Sequence, residues 1–258
     1  MAADNTIYDR LADSWWEEQG VLGILRTAVN PARAEYFGRI LSERLRGGPR
    51  SARGLDVGCG GGILTEALAR LGCTVVGIDR SRPSLRAARA HAAAQELPVG
   101  YFNALAEALP FEAASFDFVS CCDVLEHVTA LRPVISEVAR VLRPGGLFLY
   151  DTVNRTLRSN VVAIRFAQQW RWSRFLPPRV HEWRQFVKPR ELTEVLEENG
   201  LEQRQILGMA PGAHPLRIAL LAIRLRRGRM SYSDFGKALR YRLTADTSVS
   251  YLGYATRR

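Results

Sequence analysis

Leu55-Asp56-Val57-Gly58-Cys59-Gly60-Gly61-Gly62 closes a short apolar segment, and Gly77-Ile78-Asp79 closes the next one, with Asp79 twenty-one residues past Gly58. Glycines at the C-terminal end of a strand let backbone approach a ligand, and a carboxylate about twenty residues on is placed to accept hydrogen bonds from a ribose diol. The pair therefore predicts a ribose-bearing ligand. A dinucleotide fingerprint needs a sixth-position glycine, and counted from Gly58 that position is Ile63. A phosphate-cradling loop needs Gly-Lys followed by Ser or Thr, and the only lysines are Lys188 and Lys237. Asp56, two residues before the first glycine, would repel a pyrophosphate and suits a ligand carrying an ammonium group.

Outward from this loop the pattern alternates. It predicts strand 53–57, helix 62–71, strand 73–79, helix 83–95, strands 98–102 and 116–121, helix 131–142 and strand 146–151. Helix 189–199, strand 201–208 and a last strand 248–255 follow. Strands alternating with helices through right-handed crossovers make a parallel sheet covered on both faces. The expected fold class is α/β, a Rossmann-like doubly wound seven-stranded sheet within a single domain, 1–258. A helical cap over 1–46 precedes it, with an amphipathic helix from Ile7 to about Gln19 bearing Leu11, Trp15 and Trp16, and a second from Pro31 to Arg46. Two segments interrupt the alternation, 155–188 and 211–230, and read as lid insertions.

A chain of 258 residues with 47% hydrophobic content can bury one sizeable core. No run of eighteen apolar residues occurs, so no membrane-spanning helix is expected. Met1-Ala2-Ala3-Asp4-Asn5 has no basic segment leading into an apolar one, so no secretory signal is expected either. Cys59, Cys73, Cys121 and Cys122 have neither metal-finger nor disulfide spacing, which points to a reducing cytoplasm. The net charge of +10 is carried almost wholly by arginine. Nine Lys or Arg and one acid, Glu182, fall between Arg155 and Arg190, and five arginines and no acid between Ala213 and Met230. Interleaved with Trp, Phe, Leu and Ile, these charges fit an anionic membrane surface, a nucleic acid or a solvated helix face.

Strand 116–121 empties at the sheet's C-terminal edge, where ligands bind in open α/β sheets, into Cys122-Asp123-Val124-Leu125-Glu126-His127-Val128. If a helical turn begins at Asp123, then Asp123, Glu126 and His127 share one face. Two carboxylates and an imidazole can hold a divalent cation such as Mg, Mn or Zn. The same Asp-x-x-Glu spacing also serves as a capping box, with His127 bonding only a carbonyl. Both readings stand on spacing alone.

The Asp56-to-Gly62 loop resembles that of class I S-adenosylmethionine (SAM) methyltransferases, whose last strand is antiparallel. More specifically, Cys121-Cys122-Asp123-Val124-Leu125-Glu126-His127-Val128 is similar to the Cys-x-Glu-x-Leu-Glu-His-Val segment of the ubiquinone-biosynthesis O-methyltransferases, the UbiG type. Trp15-Trp16, Asn30-Pro31-Ala32-Arg33, Pro144-Gly145-Gly146, Thr152-Val153-Asn154-Arg155, His181-Glu182-Trp183-Arg184-Gln185-Phe186-Val187-Lys188-Pro189 and Ser248-Val249-Ser250-Tyr251-Leu252-Gly253-Tyr254 carry the same resemblance across nearly the whole chain.

The resemblance implies Arg33 on the methionine carboxylate and Asp56, Gly58, Cys59 and Gly60 around the methionine and sulfonium side. It implies Asp79 on the ribose, Cys122 lining the pocket, and Leu105 and Ala106 beside the adenine, where relatives carry an Asp that Leu105 cannot replace. Backbone groups, helped by Asn103, would serve there. It implies a catalytic Asp123, Glu126 and His127 that also bind a divalent cation, Mg or Zn, although Asp123 is a methylene shorter than the family's Glu. A metal would activate the acceptor oxygen as a Lewis acid; without it, His127 would be general base. Tyr8, Trp15 and Trp16 would cover the site or serve as core.

The implied activity is O-methylation of a phenol or catechol on a polyprenylated quinone precursor, in the cytoplasm or peripheral to the inner face of an anionic membrane. O- or C-methylation of an aromatic natural product is the alternative, prompted by the 211–230 insertion. An RNA-binding methyltransferase fits the basic charge, but no RNA-binding module and no Asn-Pro-Pro-Tyr-like element follows the fourth strand, so no nucleic acid is expected. The partner expected is a small aromatic substrate, and oligomeric state is left open.

Overall fold

The computed structural model describes Asp4 and residues 6–258. The expectation drawn from the first five residues lies, for 1–3 and 5, outside the described residues.

The cap comprises a single helical turn α1 (Ile7–Arg10), a 3₁₀ turn Ala12–Trp15, and a π-helical turn Leu25–Val29 that runs into α2 (Asn30–Arg44). The sheet region follows as β1 (Arg53–Val57), α3 (Ile63–Arg70), β2 (Thr74–Asp79), α4 (Arg82–Ala94), β3 (Gly100–Asn103), β4 (Phe116–Cys122), α5 (Leu131–Val141) and β5 (Leu142–Val153). Beyond it come α6 (Leu157–Ser159), the π-helical stretch Asn160–Gln169, α7 (Pro189–Glu198), β6 (Leu201–Pro211), α8 (Pro215–Arg226), α9 (Tyr232–Leu239), β7 (Tyr241–Thr244) and β8 (Ser250–Arg257).

One sheet runs β3-β2-β1-β4-β5-β8-β6-β7. The β3-β2-β1-β4-β5 half is parallel, and β8 enters antiparallel between β5 and β6. Eight strands replace the expected seven, because β6 continues to Pro211 and pairs with β7, Gly208 opposite Thr244. Strand order reverses between β1 and β4, which opens a crevice at their C-terminal ends where the glycine loop and the post-β4 segment meet.

Alternation along the central strands feeds two cores. Phe118, Leu147, Leu149 and Leu252 face one cluster with Tyr36, Phe37 and Leu41 of α2, whereas Val119, Cys121, Phe148 and Tyr150 face the other. Within the second cluster α5 offers Val134, Ile135 and Val138, a one-sided stripe at helical spacing. Ser81 caps α4 by accepting from the Ser84 N–H, and Pro83 sits in the first turn where no amide partner is needed.

Of the predicted helix from Ile7 to Gln19 only the first turn, Ile7–Arg10, is α-helical. Adjacent side chains cannot share a helix face, yet Trp15 and Trp16 both turn inward. The Trp15 indole N–H donates to Ser84 Oγ at 3.0 Å and the Trp16 N–H to the Gly61 carbonyl at 2.9 Å. The chain breaks to satisfy both. The second insertion is helical: Leu221, Ala222 and Leu225 of α8 share one cluster with Ile24, Ala28 and Val29, and Phe235 and Leu239 of the following α9 join it, so both helices pack toward the cap.

Candidate active site

A cavity of about 420 Å³ occupies the crevice, lined by the glycine loop, the ends of β2 and β3, the post-β4 segment, α2 and the cap. Asp56 is buried at its floor: Oδ2 accepts from Thr65 Oγ at 2.6 Å and Oδ1 from Ser120 Oγ at 2.7 Å. Burial pushes its carboxyl up to about 6, although both hydroxyls oppose the shift. Gly58 has φ +71°, and a Cβ there would lie 2.1 Å from Val124, so the turn excludes other residues on both grounds. Gly60 and Gly61 answer to the cap, since Cβ atoms on them would come within 2.4 and 2.3 Å of the Trp15 ring. Asp79 at the end of β2 accepts from the Gly60 N–H (2.9 Å) and the Ser81 N–H (2.7 Å), which hold it against the cavity wall. Burial raises its carboxyl, and those two bonds work against the rise.

Leu105, Ala106 and Cys122 line the same cavity. Cys59 departs from expectation. Its side chain turns away into a cluster with Leu85, Ala88 and Tyr101, so only its backbone remains for a ligand. Asn103 is likewise committed elsewhere, donating to the carbonyls of Asp79 and Arg80 and accepting from Arg82 Nε.

Arg33 reaches the cavity from α2 with only 4% of its surface exposed. Nε donates to Asp151 Oδ2 at 2.5 Å and Nη2 to Asp123 Oδ2 at 2.6 Å. Burial works against its charge, but the two carboxylates outweigh that and hold its pKa above the ordinary value. The guanidinium expected to face a ligand carboxylate is thus engaged by two of the protein's own.

Asp123 has φ +55°, and no helix begins there; the segment up to Thr129 is a series of bends and turns. The expected common face of Asp123, Glu126 and His127 is absent for that reason. Glu126 turns inward, 1% exposed, and accepts from Thr152 Oγ at 2.7 Å through Oε2, while Oε1 has no hydrogen-bond partner among the described residues. His127 lines the cavity with Nε2 3.2 Å from the Tyr8 hydroxyl, and its ring centroid lies 5.4 Å from that of His181.

Glu126, His127 and His181 form a group whose ligand atoms all lie within 4.8 Å of one another. The expected grouping of Asp123 with Glu126 and His127 is not formed: Asp123 is held on Arg33, and His181 stands beside Glu126 and His127 instead. His181 stood in the sequence only as part of a resemblance; its signal was a His-Glu-Trp string inside a basic lid, and nothing local tied it to residue 127. Its main-chain N–H is gripped by Gln168 Oε1 at 2.9 Å, and its Nδ1 has no hydrogen-bond partner among the described residues.

Burial moves the carboxyl and the two imidazoles of this group in opposite senses. Burial, reinforced by the Asp123 charge, pushes Glu126 up to about 8. Burial, aided by His181, takes His127 down to about 3, and burial takes His181 down to about 4, so both imidazoles are neutral at physiological pH. Neutral imidazole is the metal-binding form. The buried Glu126 Oε1 and His181 Nδ1, which lack hydrogen-bond partners, are what a cation would satisfy. The three residues lie close enough together to share a divalent ion, whose binding would have to displace the Glu126 proton.

A methyltransferase-domain family model matches residues 55–150. A ubiquinone biosynthesis O-methyltransferase of Alkalilimnicola ehrlichii is 35% identical over 248 residues, 96% of this chain and 88% of that protein. A protein of the same description from Methylobacterium nodulans is 39% identical over 75% of this chain and 79% of its own length. Among solved structures, a SAM-dependent methyltransferase of Thermotoga maritima, described as a possible histamine N-methyltransferase, superposes with TM-score 0.63 at 17% identity over 98% of this chain and 99% of that one. That likeness concerns the fold alone. Sheet order, loop geometry and full-length similarity agree: the chain belongs to the ubiquinone biosynthesis O-methyltransferase (UbiG-type) family of SAM-dependent methyltransferases.

Proposed function

We propose that this O-methyltransferase acts on a phenol or catechol hydroxyl of a quinone precursor with a long apolar tail. The observation that carries the reading is the buried Glu126–His127–His181 group beside the cofactor cavity. A phenol, with pKa about 10 by analogy with tyrosine, is mostly protonated at neutral pH and needs its oxygen made more anionic. His127 alone is poorly matched to that task, since a base held near 3 takes little of the proton.

Glu126, His127 and His181 would together hold a divalent cation, which would supply Lewis-acid activation of the acceptor oxygen. The chain's own residues do the rest. Asp79 takes the ribose hydroxyls, and Arg33 the amino-acid carboxylate. Tyr8 and Trp15 close the cavity from the cap side and keep water from the sulfonium, so that nucleophile and methyl meet in line. Tyr8 stays a neutral phenol, its pKa raised by burial and by the charges of Asp123 and Glu126.

The acceptor's apolar tail is supported by the two lid segments. Leu157, Trp172, Leu216 and Leu220 are exposed at 81, 49, 71 and 63%, among arginines, a composition that suits the interface of an anionic membrane. No helix among the described residues is long and apolar enough to cross a membrane, so the proposed placement is peripheral, on the cytoplasmic face. The quinone reading is favoured over an aromatic natural product because the 248-residue similarity runs across the 211–230 segment. Incubation with SAM and a panel of catechols and polyprenyl phenols, with product mass measured with and without chelator, tests it. Methylation confined to amines or carbons would overturn it.

A further inference from the structure

Asp123 stands where the family pattern has Glu, and its carboxylate is on Arg33 instead of with Glu126 and His127. The two carboxylates on Arg33 are not equivalent. Asp151 is 1% exposed and anchored twice, Oδ2 on Arg33 Nε and Oδ1 on the Asp123 N–H at 2.9 Å. Asp123 has a side chain 33% exposed, lines the cavity, and rides on a left-handed backbone outside any helix or strand. A guanidinium offers separate edges to separate partners. The Nε edge is thus built in, and the Nη2 end is held by a group that can leave. A ligand carboxylate entering this cavity finds two of the three guanidinium nitrogens already holding carboxylates.

We propose that Asp123 is an internal stand-in for the cofactor's amino-acid carboxylate: it holds the Nη2 end of Arg33 in the free chain and is displaced from it when the cofactor binds. This rests on the reading of Arg33 as the carboxylate site. The cofactor then competes for the Nη2 end of Arg33 with an anion of the protein's own, and the exchange weakens its affinity. Displaced, the Asp123 carboxylate is free to turn toward the His127 side of the cavity, which couples occupancy of the cofactor site to the charge presented to the acceptor.

The test is calorimetric binding of S-adenosylhomocysteine and of decarboxylated SAM, which lacks the carboxylate, to wild type, Asp123→Asn and Asp123→Gly. Asn and Gly both accept a positive φ, so the turn persists. S-adenosylhomocysteine is expected to bind both variants more tightly, by about fivefold or more, the lower end of couplings between sites, whereas the decarboxylated ligand gains nothing. Unchanged or weakened S-adenosylhomocysteine binding overturns the inference, as does equal tightening of both ligands. A wild-type chain that binds neither ligand would instead overturn the cofactor reading, and this inference with it.

Discussion

The two sides of the crevice are finished to different degrees. On the β1–β2 side, each oxygen of Asp56 and Asp79 is bonded, the glycine loop is wedged under Trp15, and the cavity wall is preorganised. On the β4 side, Asp123 sits in a left-handed turn, Glu126 Oε1 and His181 Nδ1 lack hydrogen-bond partners among the described residues, and a carboxyl is held near 8. Buried polar groups without partners are costly, so the second side is arranged for something that joins it. The β1–β2 side is a fixed mould, and the β4 side carries buried polar atoms without partners among the described residues.

Removing Arg33, which links the two sides, has the largest expected effect. Arg33→Ala leaves the buried Asp151 and the half-buried Asp123 without their cation, and chemical denaturation should show a loss of about 3–5 kcal/mol; a loss under about 1 kcal/mol would mean that the ion pairs are not formed in solution. On the mould side, Asp79→Ala should weaken S-adenosylhomocysteine by about tenfold or more, as expected for charged hydrogen bonds. His127→Ala should leave that affinity within about twofold while abolishing turnover. Equal damage to binding from both would erase the distinction between the sides.

A subtler difference lies in pH. Glu126 has an ordinary value of 4.5 and a folded value of about 8, so the unfolded chain releases its proton first. Its penalty is absent below pH 4.5, grows as pH rises toward 8, and then levels. Glu126→Gln should therefore raise the melting temperature relative to wild type by an amount that widens across that window. A constant difference would show the carboxyl ionised throughout. The smallest effect is expected on the lid, where Trp172→Ala should reduce sedimentation with anionic vesicles and leave turnover on a soluble catechol unchanged.

Legibility in the sequence divided along the same line. The positions of β1, β2, α4 and α5 follow from short-range periodicity, and the loop from Gly58 to Asp79 from a spacing that only a strand–helix–strand unit realises. The cap misled because Trp15 and Trp16 looked like part of an amphipathic stripe, while their indoles bond residues far along the chain, Ser84 and Gly61. The seventh strand in order, Tyr241–Thr244, was hidden because a short edge strand leaves little pattern. At Asp123 the helical spacing fails because the backbone there is left-handed and not helical.

From sequence alone came the α/β class, the glycine loop, Asp79 and the family, because these rest on neighbours within a few dozen residues and on motifs tied to local backbone. Only the tertiary structure decided which charges meet. Arg33 finds Asp123 and Asp151 from ninety and more residues away, and His181 arrives beside His127 on a lid held by Gln168. Such pairings are set by how whole elements pack, and by one residue turning its backbone to φ +55°, neither of which spacing along the chain encodes.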